Sequence, residues 1–143
     1  GGTESGLMLN LVSSLNNKNI KVTSIIPKRL TNEHVNLKYF SELIITNDLS
    51  ERTEQFLERA DFFVVLPGGI GTLFETIEII NKRILKETKK KIFLLNDLDY
   101  WNPFIKLIQH MIKEKFLNDK LFSNNIEILK LKELIKRVQN AQY

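Results

Sequence analysis

Helical and extended patterns of apolar residues alternate along the chain. Apolar positions three and four residues apart predict helices over about 7–15, 50–60, 71–87, 100–115 and 132–139. Short apolar or β-branched runs predict strands at 20–26, 43–45, 61–66, 91–95 and 126–129. This alternation is typical of an α/β fold. We expect a Rossmann-like, doubly wound parallel sheet with helices on both faces.

The apolar spacing also predicts which helix faces are buried. For the helix at about 71–87 we expect a buried stripe of Ile70, Leu73, Phe74, Ile77, Ile80 and Ile84. For the helix at 100–115 we expect Trp101, Phe104, Ile105, Ile108 and Ile112 to face inward. After Asp61 the strand at 61–66 is apolar on both faces, as strands covered by helices on both sides are.

The chain opens on a glycine-rich entry into a helix, Gly1 to Gly6, without the strand that should precede it. One interpretation is a fragment whose first strand is missing, and the other is an appended Gly1-Gly2 remnant. We favour the fragment, because Gly6 and the following helix form the second half of a strand–turn–helix unit. No linker or repeat is visible, so we expect residues 1–143 to form a single domain.

Composition narrows the function classes. There is no cysteine among 143 residues, which excludes disulfides and thiolate metal sites and fits a cytoplasmic protein. No apolar run approaches the roughly 20 residues that span a bilayer, so we expect no membrane partner. The net charge of +4 favours anionic ligands. The basic residues are scattered, so we expect no nucleic-acid partner.

The segment from Pro67 to Glu75 is the most specific signal. The apolar strand leads into Gly68, Gly69, Gly71 and Thr72, and a helical pattern follows. A glycine turn at a helix N-terminus presents bare N–H groups and the positive end of the helix dipole to an anion. We therefore expect a phosphate-binding turn, and its alternative is a tight turn without a ligand.

Two side chains, Glu75 in the motif and Arg52 before it, each have two possible interpretations. Thr72 and Glu75 fit the capping-box spacing, and Glu75 could instead lie beside the sugar of a phosphate ester, with Glu78 one turn further. Arg52 could form a weak surface pair with Asp48 or Glu51, or it could have a functional role. His34 and His110 are isolated, so we expect no metal site and no catalytic triad.

The motif PGGIGTLFE is similar to the PGGxGTxxE signature of the Lonely Guy (LOG) family, whose members are often labelled lysine decarboxylases. Gly1 to Met8 resembles the family's GGGxxGLMG, and Ile26-Pro27 with Leu30 resembles its IPxxL segment. Leu49 to Thr53 occupies the place of MHxRK, and Leu94-Leu95-Asn96 with Tyr100 resembles LLNxxGYY. The resemblance is colinear over nearly the whole chain.

The resemblance implies hydrolysis of the N-glycosidic bond of a nucleoside 5′-monophosphate, either a cytokinin riboside monophosphate or an AMP-like nucleotide. It places Arg52 and Glu75 on the catalytic positions. It implies substrate-binding roles for Gly2, Ser5, Gly6, Leu7, Met8, Pro67, Gly68, Gly69, Gly71, Thr72 and Glu78. It implies a homodimer, and we expect no metal and no cofactor. No lysine has the setting of a pyridoxal-phosphate Schiff base, so a decarboxylase is rejected.

Two further interpretations stay open. One is a nucleosidase with a broader choice of nucleotide, and the other is a non-catalytic carrier or sensor of a nucleotide or of the molybdenum cofactor. The chain also departs from MHxRK, with Leu49, Ser50 and Thr53 in place of methionine, histidine and lysine. The missing lysine removes a positive charge beside Arg52.

Overall fold

The computed structural model describes residues 6–15, 18, 20–31 and 39–140 and divides into two compact units, Gly1–Arg59 and Ala60–Tyr143. The N-terminal unit contains α1 (Gly6–Leu15), β1 (Thr23–Pro27), β2 (Glu42–Thr46) and α2 (Leu49–Arg59). The C-terminal unit contains β3 (Phe62–Val65), α3 (Ile70–Ile84), β4 (Lys91–Leu95), α4 (Asn102–Lys113), α5 (Asp119–Ser123), β5 (Ile126–Leu129) and α6 (Leu131–Asn140).

In the N-terminal unit β1 and β2 form a parallel pair, with Ile25 opposite Ile44, and α2 packs against both strands. Asp48 lies immediately before α2 and caps it. Its Oδ1 accepts the N–H of Glu51 at 2.9 Å, as a helix N-cap does. This cap sets the register that places Arg52 on the inner face of the helix.

Glu42 joins three parts of the N-terminal unit. Its Oε2 accepts the hydroxyl of Thr23 at 3.1 Å and lies 3.3 Å from Lys21 Nζ and 3.6 Å from an Arg59 nitrogen. The hydrogen bonds from Lys21 and Thr23 hold the pKa of Glu42 below its ordinary value. Lys21 and Arg59 are exposed to solvent, so their ion pairs with Glu42 contribute little to stability.

The C-terminal unit is built on a parallel sheet in the order β3-β4-β5. Side chains of the central strand alternate between two cores. Ile92 and Leu94 pack with residues of α3, α4 and α5, whereas Phe93 and Leu95 pack with Leu134 of α6. Helices therefore cover both faces of this sheet, and the predicted α/β fold with parallel strands is confirmed.

The predicted inner face of α3 is partly wrong. Thr76, Ile79 and Ile80 are buried, with Leu73 and Ile84 packed beside the core. A second apolar stripe, of Ile70, Phe74, Ile77 and Leu85, is exposed by 83%, 49%, 49% and 59%. Since α3 is apolar on two sides, periodicity alone does not decide which side faces the sheet. The inward face predicted for α4 is confirmed, with Trp101, Phe104 and Ile108 buried.

Left-handed residues explain two helix boundaries. Lys86 adopts a φ of 64°, and the N–H groups of Lys86 and Glu87 bond to the carbonyls of Arg83 and Lys82. This Schellman arrangement ends α3 at Ile84, three residues before the predicted end. Leu98 and Asp99, with φ of 53° and 56°, form a turn that delays α4 to Asn102.

Some expectations remain outside what the structure tests. The predicted single domain and missing first strand stay predictions. The short helix α5, whose Phe122 is buried, was not predicted. Within the described ranges, no helix is both long enough and apolar enough to cross a membrane.

Candidate functional site

The glycine turn lies at the carboxyl edge of the three-stranded sheet. Because Val65 pairs with Leu94 in parallel register, β3 and β4 end at the same edge. The turn after β3, 66–69, and the turn after β4, 96–101, therefore leave the sheet side by side. Ligands of open α/β sheets bind at this edge.

The N-terminus of α3 carries main-chain donors without acceptors inside the helix. Gly69 is the N-cap, with φ −85° and ψ −160°, and its carbonyl accepts the N–H of Leu73 at 3.0 Å. Since Leu73 makes the first bond of the helix, the N–H groups of Ile70, Gly71 and Thr72 have no acceptor within it. These donors and the helix dipole favour an anion.

Packing requires glycine at Gly68 but not at Gly69 or Gly71. A Cβ on Gly68 would lie 2.8 Å from Thr72 Cβ and closer still to Thr72 Oγ1, so this position must be glycine for the turn to pack. A Cβ on Gly69 or Gly71 would meet nothing within 4 Å, and neither residue has a left-handed φ. Packing does not require glycine at Gly71, where alanine would favour the helix. A ligand group that approached the main chain closely would require it.

Tyr100 joins the two turns at the sheet edge. Its hydroxyl donates to the carbonyl of Gly68 at 2.7 Å. The 96–101 turn is held internally, because Asn96 Oδ1 accepts the N–H of Trp101 at 2.7 Å and Asn96 Nδ2 donates to Asn102 at 2.9 Å. The sequence identified Tyr100 only through its resemblance to LLNxxGYY and assigned it no role.

The residue that follows β5 also contributes to this edge of the sheet. Lys130, directly after β5, donates through Nζ to the carbonyl of Asn96 and to Oδ1 of Asp99, both at 2.7 Å. Asp99 stands where LLNxxGYY has its glycine, and its φ of 56° is a conformation that glycine adopts freely and aspartate tolerates. No sequence signal pointed to Lys130 or Asp99.

Glu75 is not a capping residue. Because Gly69 is the N-cap, Thr72 is the third residue of α3 and Glu75 the sixth. A capping box would need the glutamate at the third position, so that interpretation is wrong. Glu75 and Glu78 are both half-buried and lie one turn apart. The carboxylate of Glu75 therefore has a position that α3 capping does not explain.

Arg52 is buried within the N-terminal unit, with 8% of its surface exposed. Its Nε donates to the carbonyl of Ile25 in β1 at 2.8 Å, and its guanidinium carbon lies 5.0 Å from the centre of the Phe56 ring. The predicted alternative of a surface ion pair does not describe this side chain. A main-chain acceptor and an aromatic face instead hold the guanidinium in one orientation.

The residues around Arg52 show what the departure from MHxRK does. Thr53, at the place of the lysine, is 1% exposed, and its hydroxyl donates to the carbonyl of Leu49 at 3.1 Å. Ser50 is exposed. A long cation at position 53 would have to be buried, whereas threonine satisfies its hydroxyl within its own helix.

The remaining predicted residues lie in one or the other unit or fall outside the described ranges. Gly2, Ser5 and His34 lie outside them. Gly6 begins α1, where Leu7 is exposed and Met8 half-buried, and Pro67 is half-buried. His110 is exposed on α4. Among the described residues, no three histidine, aspartate or glutamate side chains are grouped to hold a metal ion.

The sequence matches a protein-family model described as possible lysine decarboxylase over residues 8–138. A probable cytokinin riboside 5′-monophosphate phosphoribohydrolase of Oryza sativa is 30% identical over 139 residues, which is 97% of this chain and 57% of that protein. A cytokinin riboside 5′-monophosphate phosphoribohydrolase of Arabidopsis thaliana is 29% identical over 98% of this chain and 66% of that protein.

A second probable enzyme of this name from Oryza sativa is 32% identical over 118 residues, which is 82% of this chain and 51% of that protein. The chain thus spans about half to two-thirds of the length of these curated relatives. All three relatives are named phosphoribohydrolases, although the description of the family model is possible lysine decarboxylase.

Proposed function

Because the chain belongs to the Lonely Guy family, whose model is described as possible lysine decarboxylase, we propose that it hydrolyses the N-glycosidic bond of a nucleoside 5′-monophosphate. Water adds at the anomeric carbon while the bond to the base breaks. The products are the free base and ribose 5-phosphate. The proposed substrate is a cytokinin riboside monophosphate or an AMP-like nucleotide.

One observation carries this proposal, the open space around Gly71 at the N-terminus of α3. Glycine is unfavourable in a helix, and here neither packing nor a left-handed φ requires it. Bare N–H groups beside it suit a phosphate group. Binding a phosphate that takes no part in bond cleavage supplies energy for positioning the reacting bond.

Glu75 is proposed to act on the sugar. It lies one turn into the helix whose N-terminus would hold the phosphate. Cleavage of a glycosidic bond passes through a transition state with oxocarbenium character. A carboxylate can stabilise that positive charge or activate the attacking water. Glu78, half-buried one turn further, would contact the ribose or base.

Arg52 is proposed to orient the nucleotide and to assist departure of the base. Its side chain is already ordered by Ile25 and Phe56, so little rotamer entropy is lost when it binds substrate. Gly2, Ser5, Gly6, Leu7 and Met8 are proposed to line the nucleotide pocket, as the resemblance implies.

Product analysis with AMP and isopentenyl-AMP side by side tests this function. We expect ribose 5-phosphate and free base, in equal amounts, from at least one of them. Adenosine is the matched control, because it lacks only the phosphate, and we expect its kcat/KM to be lower by at least about 100-fold. Binding of both nucleotides without base release would contradict the enzyme and favour a carrier.

We also propose that two copies of the chain associate through the exposed stripe of α3. Phe74 and Leu85 lie at similar distances on either side of Ile80, and Glu78 and Lys82 flank the stripe on one side. An antiparallel copy, related by a two-fold axis near Ile80, would bury this apolar stripe against the same stripe of the other chain.

We expect Ile77→Glu to convert a dimer into a monomer, because a charge at the centre of the stripe would be buried without a partner. Light scattering during size-exclusion chromatography measures the mass. Leu107→Glu is the matched control, since Leu107 is also half-exposed but lies on α4. A monomeric wild type, or a dimer that survives Ile77→Glu, would contradict this interface.

Cytoplasmic location remains a prediction.

A further inference from the structure

We propose that Tyr100 is a positioning residue for the phosphate-binding turn, acting through the peptide group between Gly68 and Gly69. The inference rests on the proposed function, because it concerns the same anion site. The hydroxyl of Tyr100 donates to the carbonyl of Gly68 at 2.7 Å. Both residues belong to the C-terminal unit.

Because the peptide group is planar, the hydrogen bond from Tyr100 to the carbonyl of Gly68 also orients the N–H of Gly69. The carbonyl of Gly68 and the N–H of Gly69 belong to one planar trans peptide group, so they point in opposite directions. Holding the carbonyl on the side of Tyr100 directs the N–H of Gly69 to the opposite side. This N–H is thereby available to an anion together with the donors of Ile70, Gly71 and Thr72.

The peptide group would otherwise be easily rotated. It lies between two glycines, which restrict the backbone less than any other residue. Thr72 limits the space on one side of Gly68, but a Cβ on Gly69 would meet nothing within 4 Å. A hydrogen bond from a fixed donor is therefore an effective means of selecting one orientation of this peptide.

Tyr100 is a fixed donor because its own turn is held at several points. The aromatic ring lies against Trp101, with centroids 5.1 Å apart, and Trp101 is buried. Asn96 holds the N–H of Trp101, and Lys130 Nζ holds the carbonyl of Asn96 and the carboxylate of Asp99. Lys130 thus forms an outer tie that connects β5 to the turn bearing Tyr100.

The first test compares the binding of ribose 5-phosphate by wild type and Tyr100→Phe, using isothermal titration calorimetry. The substitution removes one hydroxyl from a half-exposed side chain, so the fold is retained. We expect the Kd to rise about 5- to 10-fold. With a hydrolysed nucleotide, KM should rise similarly while kcat stays within about twofold.

Ser123→Ala is the matched control. Its hydroxyl also donates to a main-chain carbonyl, that of Asp119 at 2.9 Å, but it lies in α5 before the amino end of β5. We expect it to leave the Kd unchanged. Lys130→Met, which releases the outer tie, should raise the Kd about two- to fivefold.

The outcomes separate the two proposals. Failure of wild type to bind ribose 5-phosphate would overturn the proposed function, and the role of Tyr100 with it. Binding by wild type with an equal Kd in Tyr100→Phe would overturn the role of Tyr100 alone, even if that variant unfolds at lower urea concentration. An unchanged Kd in Lys130→Met would show that the outer tie does not contribute to anion binding.

Discussion

Replacing Glu75 by glutamine is expected to lower the rate of base release by at least about 100-fold while nucleotide binding is retained. The amide has the shape of the carboxylate but carries no negative charge to oppose the developing oxocarbenium ion. Since Glu75 does not cap α3, the substitution should leave the helix and the glycine turn before it intact. Ribose 5-phosphate formation measures the rate, and calorimetry measures binding.

Glu78→Gln is the matched control, because Glu78 is a half-buried glutamate one turn further along the same helix. We expect it to change KM more than kcat, since its proposed contact is with the ribose or base. If Glu75→Gln keeps its turnover, or if Glu78→Gln loses as much, the assignment of the catalytic carboxylate is wrong.

The second large effect is expected from alanine at Gly71 and at Gly68, which should change stability in opposite directions. Gly71→Ala places a methyl group in open space at the start of α3 and should raise the free energy of unfolding by about 0.5–1 kcal/mol. The same methyl would occupy the space through which a phosphate reaches the main-chain donors. We therefore expect its affinity for ribose 5-phosphate to fall at least about tenfold.

Gly68→Ala should instead lower the free energy of unfolding by about 1–3 kcal/mol, because its Cβ would overlap Thr72. Urea unfolding followed by fluorescence measures both variants, since Trp101, the single tryptophan, is buried in the C-terminal unit. A more stable Gly71→Ala variant with undiminished affinity would show that this glycine has no ligand-binding purpose.

Much of the architecture could be predicted from local pattern. The β-branched and apolar runs identified the five strands of the described residues within a few residues, because strands in a parallel sheet covered by helices are rich in apolar side chains. The helix ends were less accurate. Lys86, Leu98 and Asp99 adopt left-handed conformations that are usually reserved for glycine, so their sequence contains no stop signal.

The candidate site was only partly predictable, because local spacing identifies a motif but not its tertiary contacts. The glycine turn and Glu75 form one contiguous motif, and their chemistry follows from residue type and spacing. Spacing could not decide whether Thr72 or Gly69 caps α3, and this choice determined whether Glu75 was a cap. The burial of Arg52 depends on β1, which is 27 residues away along the chain at Ile25.

By itself, the sequence determined the alternation of strands and helices, the glycine turn before α3 and the resemblance that places Arg52 and Glu75 on catalytic positions. These features depend on residue type at short range, where steric and periodic constraints are strong. Tertiary structure alone decided which face of α3 is buried, which residue caps it, and that Tyr100 and Lys130 join the turns at the sheet edge. Those outcomes depend on tertiary packing and on contacts between turns that are distant in sequence, such as the bond from Tyr100 to Gly68 across 32 residues.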